Sequence, residues 1–202
     1  MSPRWILLDY GEVISLPQSA TDIAAMAAHA GRSPTDFHDR YWRHRLPYDR
    51  GQPAHSYWSA VLGRTLAVDD PLVAVLDTAD VASWSRLNPH TLRMISEWEA
   101  HGVRLALLSN APESLARAID GAGWAAAFTQ RFYSCRFGRA KPDPVLFEEV
   151  LRRLDAEPAE VTFFDDRADN VRAAADLGID AILYRGQTPV SPRSGPVPAQ
   201  EW

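Results

Sequence analysis

The amino-acid sequence predicts an α/β protein with a Rossmann-like parallel sheet core and a small helical cap inserted after the first strand. Two observations predict this fold class. Short apolar runs in the second half of the chain alternate with amphipathic helical patterns, as they do in a doubly wound sheet. A block of four helical patterns interrupts this alternation directly after the first apolar run. The interruption indicates a helical unit inserted into the core.

Five apolar runs are predicted as the strands of the sheet. Several of them are continuously apolar, which is typical of strands that are covered on both faces of a parallel sheet. The runs are WILLD at 5–9, VRLALLSN at 103–110, RFYSC at 131–135, VTFFDD at 161–166 and DAILYRG at 180–186.

Helical patterns fill the segments between these runs. In the core they cover about 88–101, 112–122, 143–155 and 168–177. Four more, each with Ser, Asp or Pro near its start, lie in the predicted cap. We therefore expect a core of residues 1–16 and 88–186, a helical cap of residues 17–87, and a Pro- and Gly-rich C-terminal tail of residues 187–202.

The composition favours one domain with a modest insertion, since 202 residues with 46% hydrophobic content can bury a sizeable core. The formal net charge is −5, without a dense basic run, which argues against a nucleic-acid partner. The chain has a single cysteine, which excludes a disulfide framework and favours a reducing compartment. This residue, Cys135, is expected in a core strand. The histidines show no metal-ligand spacing.

The first strand is predicted from residue 5 onward, which leaves no room for a signal peptide ahead of it. No apolar stretch approaches the roughly 20 residues that a membrane-spanning helix needs. We therefore expect a cytoplasmic protein that has no membrane partner and that exists as a monomer or a homodimer.

Polar residues follow four of the predicted strands. Because the carboxyl ends of parallel strands meet at one edge of a sheet, these residues are expected to converge on one crevice. One carboxylate can attack, an acid pair can hold a hard divalent cation, and a hydroxyl, an amide and an ammonium group can hold a phosphate. Lys141 is the only lysine among the 21 basic residues. The full set is Asp9, Ser109 with Asn110, Lys141, and Asp165 with Asp166.

With these residues in place, the chain resembles the haloacid dehalogenase (HAD) superfamily. Four segments are similar to the motifs of that family, in the same order. The segment LLDYGEVI resembles motif I, LLSN motif II, AKPDPVLF motif III and FFDDRADN motif IV. The similarity spans nearly the whole chain, and the helical insertion is placed like a C1-type cap. The resemblance implies a hydrolase, and for most such proteins a Mg²⁺-dependent phosphatase.

The resemblance also implies roles for the acidic residues. Asp9 would be the nucleophile that forms an aspartyl-phosphate. Mg²⁺ would be held by Asp9, by the backbone carbonyl of Gly11 and by Asp166, with Asp165 as a ligand or directly behind the ligands.

The resemblance implies that the other motif residues contact the phosphate. Ser109, Asn110 and Lys141 would bind the phosphoryl oxygens and stabilise the charge of the transition state, as is general for phosphoryl transfer. Asp169, one helical turn after the acid pair, would orient Lys141.

Motif I departs from the family pattern at Gly11. Family phosphatases usually have a second aspartate at this position, which protonates the leaving group and then activates water. General acid–base catalysis contributes about 10²–10⁴-fold to a rate, so its loss predicts a slow phosphatase. Some phosphatase-like relatives share the D-x-G pattern. Glu12 is a candidate substitute for the missing acid, and a metal-bound water is another.

Two alternatives therefore stand beside a phosphatase. A 2-haloacid dehalogenase would use the same nucleophile, Asp9, and also lacks the second acid. Its motif I has an aromatic residue two positions after the nucleophile, however, whereas here Tyr10 follows Asp9 directly. The second alternative is a catalytically impaired protein that keeps the fold and the phosphate site and has a binding or regulatory role. The acid pair suits Mg²⁺, so we favour hydrolysis of a small phosphorylated metabolite, such as a sugar phosphate.

The cap segment HDRYWRHRLPYDRG, residues 38–51, is rich in aromatic and basic residues. Most of its side chains are expected to pack the cap helices or to face water. Arg45, Tyr48 and Arg50 are the candidates for recognising the part of the substrate that is not phosphate.

Overall fold

The computed structural model describes residues 5–186 and is built on a five-stranded sheet. All of its strands are parallel, in the order β3-β2-β1-β4-β5. This confirms the predicted α/β fold class; the predicted tail, residues 187–202, lies outside the described residues. The strands are β1 (Trp5–Leu8), β2 (Arg104–Ser109), β3 (Gln130–Tyr133), β4 (Val161–Asp165) and β5 (Asp180–Leu183).

Both faces of the sheet are covered by helices, which explains the continuously apolar strands. In β1, Ile6 and Leu8 pack into the core on one face, whereas Trp5 and Leu7 pack into the core on the other. Helices α5 (Pro89–Ala100) and α6 (Glu113–Asp120) cover the first face. Helices α7 (Pro144–Leu154) and α8 (Ala168–Asp176) cover the second. The four residues of β1 are therefore all buried.

Strand β3 ends earlier than predicted. The chain turns after Tyr133 into a single turn of 3₁₀ helix, Ser134–Arg136. Cys135 was expected inside the strand, but it lies half-buried in this turn, where burial raises the pKa of its thiol to about 12. A thiol that stays protonated at neutral pH is a poor nucleophile.

Four helices lie between β1 and α5, in the segment predicted as a cap. They form one unit, called the helical insert: α1 (Ala20–His29), α2 (Pro34–Asp49), α3 (Ala54–Leu62) and α4 (Pro71–Ser83). Three begin with a side-chain cap, from Ser19, Ser33 and Asp70. Their apolar faces pack into a separate core. None of the helices within residues 5–186 combines the length and hydropathy that a membrane span requires.

A buried ion cluster joins α2 to α4 inside the insert. Arg45 Nε lies 2.8 Å from Asp49 Oδ1, and Arg45 Nη1 lies 3.0 Å from Asp80 Oδ2. The Tyr41 hydroxyl donates to Asp80 Oδ1 at 2.6 Å. All four residues are buried, with at most 7% of each residue exposed. Removing one member would leave an uncompensated buried charge, so the cluster fixes how the two helices meet.

The insert meets the core closely at the end of α2. Ser134 Oγ donates to the backbone carbonyl of Asp49. Gly51 has a φ of +97°, and a Cβ atom placed there would lie 2.8 Å from the carbonyl oxygen of Cys135. Only glycine fits both the positive φ and the narrow gap. This contact anchors the C-terminal end of α2 beside the carboxyl edge of the sheet.

Candidate active site

The strand register brings the candidate residues to one edge of the sheet. Leu8 pairs with Leu107 on one side and with Phe164 on the other. The Asp9 amide then donates to the Phe164 carbonyl at 2.9 Å, which places Asp9 beside Asp165 at the end of β4. The polar residues that follow β1, β2 and β4 therefore line one crevice, as is general for the carboxyl ends of a parallel sheet.

Lys141 lies at the centre of this edge with its side chain fully buried. Its Nζ is 2.8 Å from Asp9 Oδ1 and 2.6 Å from Asp165 Oδ2, and it donates to the Leu108 carbonyl at 2.9 Å. These three acceptors match the three donors of an ammonium group. Burial disfavours the charged form, but Asp165 and Asp9 outweigh it and raise the pKa of Lys141. The ammonium is therefore charged in the folded protein.

Asn110 holds the loop that presents Lys141. Its Nδ2 donates to the Lys141 carbonyl at 2.9 Å, and its Oδ1 accepts from the Lys141 amide at 2.8 Å. This reciprocal pair clamps the loop against the end of β2. Asn110 and the buried Ser109 both line the cavity described below, where they were predicted to bind phosphate.

Asp165 is the residue that orients Lys141, and this corrects the expectation for Asp169. Asp165 is fully buried; its Oδ1 accepts from the Arg167 amide and from Asn170 Nδ2, both at 2.9 Å. Asp169 is 67% exposed, and its nearest cation is Arg172 at 3.8 Å. Because α8 begins at Ala168, the helical turn directs Asn170 inward and Asp169 to the surface. The sequence analysis missed Asn170, although it is one of only three asparagines in the chain.

Three carboxylates form a candidate cation site at the same edge. Asp9, Asp165 and Asp166 each offer an oxygen, and these oxygens lie within 4.8 Å of one another. Lys141 contacts two of them, so a single ammonium faces three acids. Burial and the neighbouring acids raise the pKa of Asp166 to about 6.

The acids of the cluster repel one another in the absence of a cation. Burial raises the pKa of Asp9 above its usual range, as do Asp165 and Asp166, even though Lys141 acts in the opposite direction. A hard divalent cation prefers carboxylate oxygens and would offset this repulsion. The residues at the site therefore fit Mg²⁺.

A cavity of about 530 Å³ opens above these residues and is enclosed on its other side by the insert. Helix α2 contributes Trp42, Arg45, Leu46 and Asp49, the spacing of one helix face. Trp84, directly after α4, adds an indole. Of these five residues, the sequence analysis singled out Arg45 alone.

Two of the predicted recognition residues lie away from this cavity. The Tyr48 hydroxyl donates to Asp77 Oδ1 at 2.6 Å and lies 3.2 Å from Ser114 Oγ, and its ring stacks on Tyr57. Arg50 is exposed, beyond the end of α2. Arg45 lines the cavity, but with its charge bound in the ion cluster.

Gly11 and Glu12 line the cavity next to the nucleophile candidate. A Cβ atom at Gly11 would lie 3.7 Å from Cζ3 of Trp84, so the indole faces the position where a longer side chain would project. Glu12 is exposed and has a φ of +57°. It is therefore an exposed carboxylate at the cavity, close enough to the acid cluster to help raise the pKa of Asp166.

Comparisons with known proteins identify relatives of the chain. The chain is similar to enolase-phosphatase E1 of Acidiphilium cryptum (strain JF-5), with 31% identity over 127 residues, which are 61% of this chain and 52% of that protein. The chain thus spans about half the length of this curated relative.

Two solved structures share the fold. A HAD family enzyme of Bacteroides thetaiotaomicron in a magnesium complex has a TM-score of 0.74 at 17% identity, over 95% of this chain and 98% of the other. A 2-haloacid dehalogenase of Pseudomonas syringae pv. Tomato DC3000 has a TM-score of 0.66 at 16% identity, over 90% and 86% of the two chains. Residues 8–178 match the model of the haloacid dehalogenase-like hydrolase family. The chain belongs to this family.

Proposed function

We propose that the protein is a Mg²⁺-dependent phosphomonoester hydrolase in which Asp9 attacks phosphorus. The observation that supports this most is the arrangement of the edge: a fixed carboxylate, a charged lysine and a second acid line one cavity, and a third acid lies buried behind them. The Lys141 ammonium and a bound divalent cation would offset the negative charge of the three carboxylates. The site can therefore attract a phosphate.

The orientation of Asp9 suits an attacking carboxylate. Its Oδ1 accepts from the Tyr10 amide at 2.7 Å and from Lys141 Nζ at 2.8 Å. The two hydrogen bonds orient the carboxylate beside Lys141. Fixing the reacting group in this way removes part of the entropic cost of reaching the transition state.

The phosphoryl group would lie between the ends of β1 and β2. Ser109 and Asn110 contact its oxygens, and Lys141 balances the charge that develops on them. A bound Mg²⁺ supplies Lewis-acid polarisation of the phosphoryl oxygens. The Mg²⁺ would be held by Asp9, by Asp166 and by the backbone carbonyl of Gly11. Asp165, which contacts Lys141, would lie behind these ligands.

Glu12 takes the proton-transfer role that Gly11 cannot fill. Glu12→Gln is expected to lower kcat for phenyl phosphate by about 10²-fold, within the usual range for general acid–base catalysis. It should lower kcat for 4-nitrophenyl phosphate much less, because the better leaving group needs less protonation. Steady-state phosphate release from both esters measures this. Equal losses for the two esters would rule out protonation of the leaving group by Glu12.

The proposed activity is tested by phosphate release from phenyl phosphate in MgCl₂ and in EDTA. We expect turnover with Mg²⁺ and a loss of about 10²-fold or more in EDTA, since the metal contributes several kcal/mol to charge stabilisation. Absence of turnover with any phosphomonoester would contradict the proposal. Phosphate binding by calorimetry without turnover would indicate a binding or regulatory protein instead.

Dehalogenation is the second candidate, and the absence of a side chain at Gly11 favours it. A halide leaves as an anion and needs no general acid, so Asp9 alone could displace it from carbon. The same preparation, supplied with 2-chloropropionate in EDTA, distinguishes the two. Halide release without metal, together with no phosphate release, would assign the chain as a dehalogenase.

A further inference from the structure

We propose that the cavity selects phosphomonoesters of flat, apolar alcohols, that is aryl phosphates. The inference rests on the proposed phosphatase function and adds the substrate class. It follows from the insert side of the cavity, which is apolar where the leaving group would lie and offers no uncommitted cation among the insert residues that line it.

Two large apolar side chains of α2 are exposed at the cavity. Trp42 is 42% exposed and Leu46 is 46% exposed, one helical turn apart on the same face. Trp84 and Leu115 extend this apolar wall. Exposed apolar surface concentrated in one concave place indicates a binding site for an apolar group.

The indole of Trp42 is held in position before any ligand binds. Its Nε1 donates to His38 Nε2 at 3.0 Å. Its ring lies edge-on to Tyr41, with centroids 5.1 Å apart, and to Trp84, with centroids 6.3 Å apart. A ring fixed in this way presents a flat surface at little further cost in side-chain entropy, which favours stacking with an aromatic ligand.

The charged residues on the insert side of the cavity disfavour a second anionic group on the leaving group. Arg45 is the insert cation that lines the cavity, and it is paired with Asp49 at 2.8 Å and with Asp80 at 3.0 Å. Asp49 itself lines the cavity. The other arginine of the lining, Arg167, belongs to the core and follows Asp166 directly. On the insert side, a carboxylate or a second phosphate on the leaving group would therefore face Asp49 and an Arg45 that is already paired, whereas the exposed Arg167 lies on the core side.

The space above Gly11 agrees with an aromatic leaving group. Trp84 Cζ3 lies 3.7 Å from the position of a Cβ atom there, an ordinary van der Waals distance, so an indole borders this space. Phenols are much stronger acids than alkanols, with a pKa of about 10 for the tyrosine side chain, and their anions leave with less help from a general acid.

The test is calorimetric binding of three non-hydrolysable phosphonates to the full chain in MgCl₂: methylphosphonate, benzylphosphonate and 2-naphthylmethylphosphonate. We expect the affinity to rise by about tenfold or more from the methyl to the naphthylmethyl compound, because the added rings bury apolar surface. Trp42→Ala and Leu46→Ala should each remove most of this gain. Both should leave the affinity for methylphosphonate within about twofold, since neither contacts the phosphate.

Val75→Ala is the matched control, because Val75 is 40% exposed on α4 and does not line the cavity. It should retain the full gain, and circular dichroism checks the fold of all three variants. Equal affinity for the three phosphonates, or tighter binding of glucose 6-phosphate than of the naphthylmethyl compound, would overturn the substrate class while leaving the phosphatase proposal intact. Failure to bind methylphosphonate and inorganic phosphate would overturn both.

Discussion

Asp9→Asn is expected to reduce kcat for phenyl phosphate by at least about 10³-fold, as removal of a catalytic nucleophile does in other enzymes. An amide nitrogen or oxygen does not attack phosphorus at a useful rate. The amide keeps an oxygen that can accept from the Tyr10 amide and from Lys141 Nζ, now 2.7 Å and 2.8 Å from Asp9 Oδ1. The fold should therefore survive the substitution, which thermal unfolding checks.

Asp169→Asn is the matched control for this variant. It is the same chemical change in the fourth motif, at a side chain that is 67% exposed and lies 3.8 Å from Arg172. Its kcat should stay within about twofold of the original, because solvent-exposed changes away from a site have small effects. Equal losses in the two variants, or turnover retained after Asp9→Asn, would refute the role of Asp9.

Lys141→Met is expected to affect both activity and stability. The substitution leaves Asp9, Asp165 and Asp166 without the ammonium that contacts two of them. Breaking a buried ion pair from one side costs about 3–5 kcal/mol of unfolding free energy. The loss should be largest in EDTA and smaller in MgCl₂, since a cation at the cluster replaces part of the lost charge. The activity should fall by about 10²–10³-fold, as for other groups that stabilise transition-state charge.

Urea unfolding of this variant, in EDTA and in MgCl₂, measures the stability effect. Arg139→Ala is the control, because Arg139 forms an exposed pair with Asp143 at 2.9 Å. An exposed pair of this kind contributes about 0–1 kcal/mol. If Lys141→Met were as stable as the control in EDTA, the buried ammonium would not be what balances the acid cluster.

The sheet and its polar edge could be predicted from the sequence because both depend on local patterns. A strand that is covered on both faces is continuously apolar, so its end is visible where Asp9 or Asp165 begins the polar segment. The parallel order then brings these ends together, whatever the lengths of the connections.

The contacts around Lys141 could not be predicted in the same way. Whether Asp169 or Asn170 faces inward depends on the residue at which α8 begins, and a shift of one residue rotates a side chain by about 100° around the helix. The motif placed an acid near Lys141, but only the structure shows that Asp165 contacts it.

The apolar residues that the insert contributes to the cavity were not predicted, for a different reason. Trp42 and Leu46 have the spacing of an ordinary buried helix face, and they lie among aromatic residues that do form the core of the insert, such as Tyr41 and Tyr48. Their exposure depends on how α2 lies over the sheet, which is a tertiary property. The same uncertainty explains why Tyr48 was considered for recognition, whereas it stacks on Tyr57 with centroids 4.2 Å apart.

The face of α2 at the cavity divides into two kinds of position with different freedom to change during evolution. Arg45 and Asp49 belong to the ion cluster that joins α2 to α4, so replacing either one damages folding together with any effect on ligands. Trp42 and Leu46 are about half exposed, so their replacement costs the fold little. New ligand preferences can therefore arise by drift at 42 and 46 on an unchanged scaffold, and a saturation library restricted to these two codons would sample them.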